Sequence, residues 1–169
     1  MSRFSESKRA SITDILVMII ILFTVAMTVM FAYKIMGGIR AQLAVNPQVS
    51  AAALAVYDKP YNAFPNTFDK VFLLLYVGLL LASLIGAWYV DVHPVFFVIS
   101  LFLLIFFMIV AGVVNNVYAT MMQNSNFSSF ESQFPIINLF MGNLIGVMVI
   151  TSALIMIALF AKPKEAAVL

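Results

Sequence analysis

The sequence predicts an all-α integral membrane protein. Four transmembrane helices form a compact bundle, with a short interfacial helix between the first and second. Three observations predict this. The chain has 169 residues, 64% hydrophobic and 9% charged, where soluble domains average roughly 45–50% apolar and about 25% charged. Across positions 71–130 the only Asp, Glu, Lys, Arg or His residues are Asp91 and His93, set between the apolar runs 71–90 and 95–114. Each of those runs is about 20 residues, the length a helix needs to cross a hydrocarbon core of roughly 30 Å. Finally, no ionisable residue of these types falls in the middle of any predicted span.

The first span is expected over about 15–36, after Ser11-Ile12-Thr13-Asp14, which reads as a capping segment with an acid at the positive helix end. Its apolar run is longer than a signal core and no small-x-small site follows at the right distance, so it reads as a retained span. An outer loop over 37–70 comes next. Within it, Asn46-Pro47 matches an N-cap followed by a first-turn proline, and 50–57 is expected to form the short interfacial helix, ending before Pro60. Tyr57, Tyr61, Phe64 and Phe68 are placed to anchor it at headgroup depth.

The second and third spans, about 71–90 and 95–119, form a hairpin bent at Asp91, His93 and Pro94. Asp91 with His93 could handle protons, but two ligands alone do not make a metal site. Headgroup depth makes polar groups cheap, and Pro94 starts a helix well, so the bend is the simpler reading. A second outer loop covers 120–135, and the fourth span covers about 136–161, opened by Pro135. Asn126-Phe127-Ser128 in that loop matches the short acceptor pattern for N-glycosylation. No inverted repeat with broken helices is visible.

An even number of spans puts both termini on one side. Arg3, Lys8, Arg9, Lys162 and Lys164 then face Lys34, Arg40, Lys59 and Lys70 across the membrane. The first set lies in shorter segments, which favours termini on the cytoplasmic side.

Small residues carry the packing expectations. Gly78, Ala82 and Gly86 line one stripe of the second span. Gly142 and Gly146 form a GxxxG in the fourth, with Asn138 one turn earlier. Such stripes let helix backbones approach where lipid offers no hydrophobic drive. A close crossing of the second and fourth spans near Gly78 and Gly142 is one expected use, and contact with a partner is the other. Asn115 and Asn116 fall at the same depth as Asn138, so amide hydrogen bonds are expected to tie the third and fourth spans together.

The functional expectation follows by exclusion. With no cysteine, a single histidine and no nucleotide, metalloprotease or serine-elbow motif, an enzyme is not expected. No cofactor, metal or nucleic acid is expected either; the expected partners are the lipid bilayer and other membrane proteins, or further copies of this chain. The leading class is a non-enzymatic structural or accessory subunit of a membrane complex or a virion membrane. The alternative is a small oligomeric channel, holin-like pore or carrier, which would need a lumen that so few polar positions do not supply.

Overall fold

The computed structural model describes residues 10–89, 95–127 and 129–160. It is 90% helical, with no strand among the described residues. The helices are α1 (Ala10–Val45), α2 (Ala51–Tyr89), α3 (Val95–Met122), α4 (Phe130–Gln133), α5 (Pro135–Gly142) and α6 (Leu144–Phe160). Three of them, α1, α2 and α3, are long and apolar enough to cross a membrane, and a fourth crossing results if the bent pair α5 and α6 counts as one. This is consistent with a multi-pass membrane protein. The expected bend at Asp91, His93 and Pro94 lies outside the described residues.

The first two helices outrun the bilayer. At 1.5 Å per residue the 36 residues of α1 and the 39 of α2 are about 54 and 58 Å long, against a core of roughly 30 Å. The excess is less hydrophobic than the spans and lies mostly at the end where 46–50 joins the two helices, here called the loop end. No separate interfacial helix forms over 50–57; residues 51–57 are the first turns of α2. Two expected boundaries give way for identifiable reasons. Asn46-Pro47 makes a turn, with Val49 N–H donating to Asn46 O (3.1 Å) and Gln48 N–H to Asn46 Oδ1 (2.9 Å). The cap of α2 passes to Ser50, whose Oγ accepts from Ala53 N–H at 3.2 Å.

Pro60 and Pro65 both sit inside α2. Each removes a helical hydrogen bond and disfavours a helix interior by about 3 kcal/mol. Tertiary contacts to α1 offset this. Tyr57 Oη donates to Met36 O (2.8 Å), and the ring of Tyr61 stacks on Tyr33 with centroids 5.1 Å apart. Phe64 stacks on Tyr33 as well, at 6.0 Å. At the opposite end of α1, residues 11–14 are already helical, so the expected capping segment is part of the helix body.

The long helices pack neighbour to neighbour: α1 on α2, α2 on α6, α6 on α3, and α3 on α1. One buried cluster joins α1 and α2 to the loop end through Leu22, Ala26, Met30, Phe72, Tyr118 and Phe134. A second, with Phe107, Ala111, Leu144, Met148 and Ile155, welds α3 to α6. Much apolar surface stays outside both. Only 11% of the most apolar window of α2, and 17% of that of α3, is buried within the chain.

Candidate functional site at the loop end

The expected fourth span is broken. α5 and α6 meet at an angle of 78° across Asn143. Gly142 and Asn143 are both weak helix formers, and Asn143 leaves helical geometry at φ −119°, ψ 30°. Its side chain competes with the helix ladder. Asn143 Nδ2 and its backbone N–H both donate to Leu139 O, at 2.9 and 3.2 Å. With its amide oriented by the network, Asn115 Nδ2 donates to Met141 O and to Gly142 O, the latter at 3.2 Å. The carbonyls that the break frees are thus covered from α3.

The start of α5 is covered from α2. Asp69 is 4% exposed. Its Oδ2 accepts from Ile136 N–H at 2.9 Å and its Oδ1 from Ile137 N–H at 2.8 Å. Pro135, at the first helical position, has no N–H to satisfy. One buried carboxylate therefore closes the first turn of α5, where a negative charge also meets the positive end of the helix dipole. α5 is thereby pinned at both ends, to α2 through Asp69 and to α3 through Asn115. A third tie lies between them, where Tyr118 Oη donates to Asn138 Oδ1 at 3.1 Å.

Aromatic rings fill the space beneath this clasp. Phe134 stacks on Phe130 (4.1 Å between centroids) and meets Tyr33 edge-on (5.3 Å). Phe140 packs edge-on against Phe72 and Tyr76, at 5.8 and 4.6 Å. Tyr76 Oη also pairs with Thr151 Oγ1 of α6 at 2.9 Å.

Next to the clasp is a cleft of about 300 Å³ between α1, α2 and the loop after α3. Lys34, Gly38, Tyr61, Asn126, Phe127 and Phe130 contribute to its walls. Lys34 Nζ donates to Asn126 O (3.0 Å) and Asn126 Oδ1 (3.2 Å). Farther out, Arg40 Nε binds Asp58 Oδ1 at 2.6 Å, and its guanidinium lies 5.4 Å from the centre of the Tyr61 ring. The Arg40 hydrogen bond holds the Asp58 carboxyl below its ordinary value.

The other residues singled out in the sequence fall as follows. Asn115 and Asn138 both tie α3 to α5, whereas Asn116 is exposed. Gly78, Ala82 and Gly86 are exposed along α2. A Cβ added at Gly78, Gly86, Gly142 or Gly146 would meet no atom within 4 Å. The crossing expected near Gly78 and Gly142 is made instead by Phe72, Tyr76, Phe140 and Thr151. Of the glycines in the spans, Gly112 is the one with a close neighbour on another span, an added Cβ lying 3.7 Å from Ile145 Cδ1, beside the fully buried Ala111. Gly142 and Gly146 flank the break at Asn143 and so do not share one helical stripe.

Sequence reasoning missed Asp69 and Asn143 as fixing points. The signal for Asn143 was present in the pair Gly142-Asn143. Asp69 gave none beyond a carboxylate near a span end, because its partner N–H groups lie 67 and 68 residues away. Among the described residues no group of three or more His, Asp or Glu side chains gathers as a metal site would need. No protein-family model, curated protein or solved structure matches the chain.

Proposed function

We propose that this chain is a non-enzymatic structural or accessory subunit of a larger membrane assembly, in a membrane complex or a virion membrane. On this reading α5 and α6 together form a fourth crossing, both termini lie on one side, and the denser Lys and Arg of the terminal segments favour the cytoplasmic side. One observation carries the reading: the stripe Gly78, Ala82 and Gly86 lies on an exposed face of α2 that nothing else among the described residues covers. Close backbone approach is the main physical use of such a stripe in lipid, and on this reading the partner helix comes from another polypeptide. A shallow groove of about 250 Å³ beside it, lined by Val17, Met18, Leu79, Ala82 and Ser83, gives side chains of an incoming helix a place to seat.

The test is gentle detergent extraction followed by mass determination of what co-purifies. Co-purification of a partner, or a defined homo-oligomer, supports the reading. A monodisperse monomer contradicts it.

A second reading, a small channel or carrier, draws on the broken helix, since discontinuous helices build transport sites in membrane proteins. The break here has its carbonyls taken by Asn115 and Asn143, which leaves fewer groups for a passing ion. Ion flux in liposomes holding the purified chain separates the two readings.

A further inference from the structure

We propose that the cleft at the loop end binds the headgroup of an anionic phospholipid together with the first methylenes of its acyl chain. Four features point to that chemistry. The first is charge. Arg40 is committed to Asp58, but Lys34 is held by two uncharged oxygens of Asn126. Lys34 therefore brings a net positive charge to the cleft wall. A phosphate would give it a charge-assisted bond stronger than either neutral one.

The second feature is depth. Lys34 is the first Lys or Arg after the apolar run that starts near position 15. Its stem can lie along apolar surface while the ammonium reaches the headgroup layer. Tyr33 and Tyr61 stack at the same level, as interfacial aromatics do. The third is the mixed lining. Lys34, Tyr61, Asn126 and Ser129 supply polar groups, while Ala41 and the half-buried Phe127 supply an apolar wall. An inorganic anion would have no use for that wall.

The fourth is room. Gly38 leaves its side of the cleft as bare backbone, and an added Cβ there would meet nothing within 4 Å. About 300 Å³ is at the small end of the ligand-pocket range of roughly 300–1,000 Å³. That volume suits a headgroup with a short length of chain, the remaining lipid staying in the bilayer.

The experiment is native mass spectrometry of the full chain, purified in detergent doped with phosphatidylglycerol or with phosphatidylcholine. The expected result is preferential retention of phosphatidylglycerol. Lys34→Gln should lower it about 10-fold or more, the loss of one charge-assisted bond. Lys34→Arg should restore it, and Lys59→Gln, a cation outside the cleft, should leave it unchanged. Gly38→Leu should block retention with the charge intact, since its Cβ meets nothing within 4 Å and the rest of the side chain enters the cleft. Equal retention of the two lipids by the unaltered chain would overturn the proposal. So would unchanged retention in both Lys34→Gln and Gly38→Leu. Displacement by millimolar inorganic phosphate would also overturn it, since a simple anion would then suffice.

Discussion

The loop end and the open face of α2 treat their chemistry in opposite ways. At the loop end, Asp69, Asn115, Asn138 and Asn143 hold α5 through bonds made inside the chain. On the open face, Gly78, Ala82 and Gly86 present backbone and methyl groups that no other element among the described residues covers. In lipid, an unsatisfied backbone group costs several kcal/mol, whereas an uncovered apolar face costs almost nothing. The polar network therefore defines the chain's own fold, and the glycine face is free for another use. Substitutions at the two regions should accordingly produce different kinds of failure.

The largest effect is expected at Asp69. Asp69→Ala leaves the N–H groups of Ile136 and Ile137 buried without an acceptor, at roughly 1–3 kcal/mol each. Denaturant titration in detergent, followed by circular dichroism, should show a loss of that size. Asp69→Asn keeps one oxygen and should lose less; equal stability of Asp69→Ala and the unaltered chain would remove α5 capping from the account. A smaller effect is expected at Asn115. Asn115→Leu strips the cover from Met141 O and Gly142 O and should cost about 1–2 kcal/mol, the upper range for interhelical hydrogen bonds in membranes. Tyr118→Phe removes one bond to Asn138 and should cost about 0.6 kcal/mol by the same titration.

The smallest effect is expected at Arg40 and Asp58, an exposed pair that salt screens. Asp58 has its carboxyl held below the ordinary 3.8 in the folded chain. Its contribution is then complete above that value and is lost as pH falls through the lower folded value. Asp58→Asn should erase that acid dependence while leaving stability at neutral pH nearly unchanged.

How much of this was legible in the sequence follows from the range of each interaction. The apolar runs are local properties of composition, and three helices long and apolar enough to cross a membrane include the first three of them, though α1 and α2 run on past the expected ends. Pro135 as the start of a helix is likewise local, and the structure has it at the first turn of α5. Pro60 misled as a helix end because contacts from Tyr33 and Met36, distant in sequence, hold α2 through it. The bridging of α3 to the fourth helical segment by Asn115 and Asn138 was readable from matched depth. Its exact partners were not, because the break at Asn143 turns α5 across the bundle. The glycine stripe was legible as a pattern, but a pattern does not say from which chain its partner comes.

The central claim is that the Gly78 face serves association and contributes nothing to the chain's own fold. It is tested by measuring the mass of the detergent-extracted assembly for Gly78→Leu with Gly86→Leu, alongside the stability of the chain itself. The account predicts an unchanged unfolding midpoint and a loss of co-purifying mass. An intact assembly carrying both leucines, or a monomer destabilised by them, would contradict it.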